Sequence, residues 1–306
     1  MSDFHCPLGI RSYLGDGCID CGLCIAKDMK AAEIASQKME AYIRSTNIEK
    51  DIRPIRKICV TGKGGVGKST ISSILARIFA GKGNKVLVLD TDESNPSLYK
   101  KLGFQKQPKS LISYLDRFNL EYGIPDNTWL SQDEIKLSDI PDEFIVEENG
   151  IMLMETGKIS NPFQGCACSM ADLSRQLMKN LVLDDGEIVI ADLEAGAESF
   201  GRGIEQGADT ILAVTETSLD SMTLAEQIGR MSNGIGIRRV YTIFNRVPYD
   251  SFSCMIDEVT GRSCTEKLGK IDYASDIMLS GFRGESVPRE SAMFESINDM
   301  VNSIMV

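Results

Sequence analysis

The chain has 306 residues, of which 42% are apolar, and a formal charge of −11 from 33 Lys and Arg against 44 Asp and Glu. That balance lacks the basic footprint that neutralises phosphates and sets nucleic acid aside as a partner, and no run approaches the roughly eighteen apolar residues of a membrane span. With no apolar signal core the chain reads as cytoplasmic, where disulfides are rare, so nine cysteines and one histidine point to thiolate metal ligands or redox thiols.

Residues 1–27 hold four cysteines in a Gly-rich stretch with little periodicity, which suggests a fold organised by metal rather than by an apolar core. Cys18, Cys21 and Cys24 form a C-x₂-C-x₂-C run that resembles bacterial ferredoxin loops, and Cys6-Pro7 upstream resembles their separate fourth ligand. The resemblance implies one [4Fe–4S] cluster, with structure, redox sensing and electron transfer all open as its use. A Cys₄ zinc site is the alternative, although zinc motifs favour two pairs over a triple. His5 beside Cys6 reads as an incidental terminal histidine. From Asp28 to about Glu49 the apolar spacing suits an amphipathic helix, and Pro54 marks a boundary between units 1–54 and 55–306.

Beyond Pro54, β-branched runs alternate with helical patterns: Ile58–Thr61, Val86–Asp90, Ile151–Glu155, Ile188–Asp192, Thr210–Thr215 and Arg239–Phe244. The expected fold class is α/β, a P-loop NTPase with a mostly parallel sheet covered by helices, preceded by the small cysteine-rich domain. Residues 105–149 are polar and weakly periodic and read as a peripheral loop-and-helix insert. The final stretch, Phe294 to Met305, is helical in period and acidic, without the basic face of a membrane-targeting helix.

The segment GKGGVGKST follows the first of these strands and opens an apolar-periodic helix, the context that G-x-x-x-x-G-K-[ST] requires. Gly62, Gly64, Gly65, Val66, Gly67, Lys68, Ser69 and Thr70 are the candidate ATP/ADP ligands. Backbone amides would close around phosphate oxygens, Lys68 would meet the β- and γ-phosphates, and Ser69 would ligate Mg²⁺. Asp92 and Asp192 follow two further strands, where open α/β sheets bind nucleotides, although aspartates also cap helices and open turns there. Lys63 inside the loop makes it similar to the deviant Walker A motif of the family that includes the nitrogenase iron protein, MinD and ParA. The resemblance implies a face-to-face dimer in which Lys63 reaches the partner's nucleotide. It also implies that Asp92 positions the attacking water, Asp192 stands near Mg²⁺, and Asn245 in Ile243-Phe-Asn-Arg reads adenine.

Cys166-Ala-Cys168 precedes a helical pattern of Leu173, Leu177, Met178 and Leu181. One C-x-C supplies two thiolates where Ni²⁺ or Zn²⁺ wants about four ligands, so two copies on a two-fold axis would complete a site; two small buried cysteines at a helix start are the other reading. GCAC together with DLEAGAESFGRGIEQGADTILAVTETS and RRVYTIFNRV is similar to the CooC-type accessory ATPases that help insert nickel into carbon monoxide dehydrogenase. That resemblance covers roughly residues 55–306 and implies a homodimeric metallochaperone ATPase with a nickel-enzyme client. Thr217, where relatives often carry proline, and the N-terminal extension depart from it. An ATP-driven low-potential electron donor, using an iron–sulfur cluster, is the rival. Cys59 reads as core, and Cys254 and Cys264 as loop thiols without a recognisable spacing.

Overall fold

A computed structural model describes residues 54–118, 123–158, 167–196, 200, 202–248 and 265–305. Cys6, Cys18, Cys21, Cys24, the helix expected over 28–49, Cys166, Cys254 and Cys264 lie outside the described residues.

Eight strands form one sheet in the order β3-β4-β2-β5-β1-β6-β7-β8. They are β1 (Lys57–Gly62), β2 (Lys85–Asp90), β3 (Val146–Glu148), β4 (Ile151–Glu155), β5 (Glu187–Asp192), β6 (Thr210–Thr215), β7 (Arg239–Val247) and β8 (Glu266–Asp272). All neighbours are parallel except β3, which runs antiparallel to β4. The β-branched and leucine-rich runs form central strands because parallel strands are buried on both faces. Alternation then divides each strand between two cores. Ile58, Val60, Val86, Val88, Ile188, Ile190, Leu212 and Val214 face one side. Cys59, Leu87, Leu89, Val189, Ala191, Ile211 and Ala213 face the other.

The first side is covered by α1 (Lys68–Gly81) through Ile71, Ile74, Leu75, Ile78 and Phe79, and by the C-terminal helix Ala292–Ile304 through Met293, Ile297, Met300 and Val301. The second is covered by the helices Ala167–Asn180 and Leu219–Gly234, through Leu173, Leu177 and Met178 and through Ala225 and Ile228 respectively. Two short helices, α2 (Leu98–Leu102) and α3 (Ile112–Asp116), fall between β2 and β3, and we number the remaining helices α4 (Ala167–Asn180), α5 (Leu219–Gly234), α6 (Ser275–Arg283) and α7 (Ala292–Ile304).

Two features differ from the sequence reading. The segment 105–149 is not merely peripheral: Leu111, Leu115, Leu130, Ile135, Leu137, Ile140 and Phe144 are buried in the second core, carried by α3 and short 3₁₀ turns whose spacing matches no regular period. The sheet also extends beyond the six expected strands, to β3 at one edge and β8 at the other.

Candidate active site at the phosphate loop

β1 sits where the strand order reverses, its successors β2 and β6 lying on opposite sides of it, and such a switch point opens a crevice beyond the carboxyl ends of the strands. The loop that leaves β1 there is shaped by glycine. Gly62 has φ +140°, and a Cβ on it would stand 2.1 Å from the Val214 carbonyl oxygen of β6. Gly67, with φ +102°, is the N-cap of α1 and offers no side chain to its first-turn amides, which leaves them for an anion. A Cβ on Gly67 would meet the Asn245 amide nitrogen at 2.4 Å.

Asn245 and Arg246, at the end of β7, hold this loop from behind. The Asn245 Nδ2 donates to the Val66 carbonyl at 2.7 Å, and its Oδ1 accepts from the Arg246 amide at 3.0 Å. Arg246 has φ +56°, a left-handed conformation rare outside glycine, and its guanidinium donates to the Gly65 carbonyl and to Glu216, both at 2.9 Å. The Asn245 amide is therefore engaged at both ends, its nitrogen by the loop and its oxygen by the next backbone amide. Beside it a cleft of about 350 Å³ is lined by Gly67, Thr70, Arg246, Tyr273, Ile277 and Met293 among others.

Lys68 and Ser69 open α1 and are both buried. Burial lowers the Lys68 pKa, opposed by the negative charges of Asp192, Asp92 and Glu194, and its ammonium donates to the Lys63 carbonyl at 3.4 Å. Burial pushes the Asp192 carboxyl above its ordinary value, against the neighbouring Ser69 hydroxyl, the Lys68 charge and the Ser72 hydroxyl. Its Oδ1 accepts from Ser72 Oγ at 3.0 Å, while its Oδ2 is buried without a hydrogen-bond partner. A buried carboxylate oxygen with unused acceptor capacity, beside a serine at the head of α1, is the donor set of a hard divalent cation. Ser69 and Asp192 thus fit Mg²⁺, which would screen nucleotide phosphates there.

The Asp92 side chain turns on its own loop, its Oδ1 accepting from the Ser94 amide at 2.9 Å and the Ser94 hydroxyl at 2.6 Å. Lys63 is half exposed and pairs with Asp220 of α5 at 3.4 Å. Asn95 was not legible as a site residue, although Asn-Pro announces a turn; its Nδ2 donates to Ser69 Oγ at 3.1 Å while its Oδ1 closes the turn on Ser97. Arg202 ties Glu194, at 2.6 Å, to Glu93, at 3.4 Å, linking the loops after β5 and β2.

α4 begins at Ala167, inside the C-x-C motif rather than after it, which puts Cys168 in the first helical turn. The first two turns of α4 are packed against the segment that follows β4: a Cβ on Gly157 would lie 3.0 Å from the Met170 sulfur, and the Thr156 and Ser174 hydroxyls are 2.8 Å apart. Among the described residues no group of three or more His, Cys, Asp or Glu side chains is arranged to hold a metal ion, and no helix is long and apolar enough to cross a membrane.

Residues 57–287 match the CobQ/CobB/MinD/ParA nucleotide binding domain. The chain belongs to this family. As a member it is an ATPase, and its relatives divide by name. It is 38% identical over 251 residues to an uncharacterized ATP-binding protein of Methanocaldococcus jannaschii, covering 80% of this chain and 98% of that one. It is 33% identical over 199 residues to the carbon monoxide dehydrogenase accessory protein CooC of Rhodospirillum rubrum, covering 62% of this chain and 74% of that one. In fold it is similar to the MinD cell division protein of Aquifex aeolicus, with a TM-score of 0.59 and 19% identity over 82% of this chain and 96% of that one.

Proposed function

We propose that this ATPase is a cytoplasmic metallochaperone. ATP binding closes a homodimer, the closed dimer holds nickel or zinc between the Cys166 and Cys168 pairs of two chains, and hydrolysis releases the metal to a client of the carbon monoxide dehydrogenase type. The observation that carries this reading is the seating of α4: the helix that begins within the C-x-C packs its first two turns on the segment that follows β4, at the sheet edge from which the phosphate loop also leaves. The start of α4 thereby lies at the end of the strand adjacent to β2, which leads into Asp92, and the similarity to a carbon monoxide dehydrogenase accessory protein supports the client class.

In this reading Lys68 faces the β- and γ-phosphates, Ser69 and Asp192 hold Mg²⁺, and Asp92 orients the attacking water. Lys63, paired on the surface with the exposed Asp220, is released to reach a second copy's nucleotide. Surface pairs of this kind are worth well under about 1 kcal/mol, so exchanging Asp220 for a phosphate costs little. Cys6, Cys18, Cys21 and Cys24 carry a [4Fe–4S] cluster in a unit that ends near Pro54.

The test is anaerobic size-exclusion chromatography with nickel or zinc titration, with and without a non-hydrolysable ATP analogue. One metal per two chains, tighter with the analogue, is expected, because metal and nucleotide favour the same closed dimer. A Cys166→Ser/Cys168→Ser variant should lose metal-induced dimerisation and keep nucleotide binding. One tightly bound metal per monomer that survives the double substitution would overturn the shared site. An oxygen-labile iron–sulfur signal that disappears with this pair would instead identify an electron donor.

A further inference from the structure

Lys158 follows β4 and belongs to no motif in the sequence. Its Nζ lies 2.6 Å from Asp90 Oδ2 and 2.6 Å from the Asp92 carbonyl oxygen, with the lysine side chain 12% exposed and that of Asp90 1%. Asp90 Oδ1 in turn accepts from the Asp92 amide at 3.2 Å. Lys158 and Asp90 therefore bracket Asp92, one holding its carbonyl and the other its N–H. The register sets this bracket in the middle of a carboxylate row, since Asp90 is the Cα partner of Glu155 on β4 and of Asp192 on β5.

We propose that Lys158 is a positioning residue for hydrolysis, fixing the backbone of Asp92 so that its carboxylate is held in one orientation beside the phosphate loop. The inference rests on the reading of Asp92 as the water-orienting carboxylate. A lysine present only to neutralise Asp90 needs one contact; this one makes a second, to a carbonyl that carries no charge to neutralise. Buried ion pairs are weak contributors to stability, and a role in fixing geometry is what such a pair supplies best here. With both peptide groups of Asp92 pinned and its Oδ1 held by Ser94, little freedom remains in the side chain.

The experiment compares steady-state ATP hydrolysis and thermal unfolding of the full chain for the wild type, Asp92→Asn, Lys158→Met and Asp90→Asn/Lys158→Met. Lys158→Met alone leaves a buried carboxylate unpaired and is expected to lose both stability and turnover. In the double variant the neutral amide introduced at position 90 needs no counter-charge and still accepts the Asp92 N–H, so Tm should return toward wild type. The kcat of that variant should stay about 30- to 100-fold low, the cost of a misplaced catalytic group, with KM for ATP changed by less than about threefold. Binding of ADP with aluminium fluoride, a mimic of the transferring phosphoryl group, should weaken in step with kcat while a non-hydrolysable ATP analogue binds as before, and this comparison can be made on whichever variant folds. Wild-type kcat, or unchanged aluminium fluoride binding, in the folded variants would reduce Lys158 to a counter-ion and overturn the proposal. Wild-type turnover in Asp92→Asn would instead overturn the reading of Asp92.

Discussion

The side-chain amide of Asn245, at the end of β7, donates a 2.7 Å hydrogen bond to the main-chain carbonyl of Val66, 179 residues earlier in the chain. The phosphate loop is thereby tied to a strand two places away in the sheet from the one it leaves, and the residue that the family resemblance makes a base reader is engaged in holding the backbone of that loop. Asn245→Ala should leave the buried Val66 carbonyl unpaired, at a cost of about 1–3 kcal/mol in unfolding free energy. It should weaken ATP and GTP binding in the same proportion, measured by competition titration. A selective loss of ATP over GTP would show that the amide reads adenine.

Lys68→Ala should abolish productive Mg·ATP binding. The ammonium is buried and feels the negative charges of Asp192, Asp92 and Glu194, so its loss leaves those charges unopposed before an acidic ligand. A fall in affinity of at least about 100-fold, near 2.7 kcal/mol, is expected by fluorescent-nucleotide titration. Calorimetry or circular dichroism should show the variant folded, because the hydrogen bond from Lys68 Nζ to the Lys63 carbonyl is long, at 3.4 Å, and its loss removes little.

Cys59 is the one cysteine with a described, fully buried thiol. Burial pushes its pKa well up, reinforced by the negative charges of Glu205 and Asp209, so the nucleophilic thiolate is suppressed as well as inaccessible. Native protein treated with iodoacetamide and mapped by mass spectrometry should show Cys59 modified only after denaturant is added. Cys59→Ser should cost about 1–3 kcal/mol by placing a hydroxyl among Leu87, Leu89, Val189 and Ile211.

The parts of this molecule that obey a local rule were legible in the sequence. β1, the glycine loop and α1 announce themselves through spacing, and the acids at the ends of β2 and β5 follow apolar runs long enough to be central strands. β3 was not legible because three residues, Val146 to Glu148, carry no period. β8 was missed because an edge strand need bury little, and Glu-Lys-Leu-Gly-Lys-Ile-Asp shows one fully buried residue, Ile271. The core contributed by residues 105–149 comes from isolated apolar side chains on short turns, where burial is decided by tertiary neighbours. Asn95 and Lys158 were hidden for a related reason: each works through a contact with a distant segment, and neither sits in a spacing that announces it.

The two borders of the sheet bear on how copies of this chain can meet. On one side the last strand is three residues long and ends in two exposed glutamates, and on the other four of seven residues, Glu266, Lys267, Lys270 and Asp272, are charged. Short or charged margins resist continuation of one sheet into another. Among the described residues, addition of strand to strand is thus disfavoured at both margins, which leaves the helices and loops as the surfaces for contact between copies.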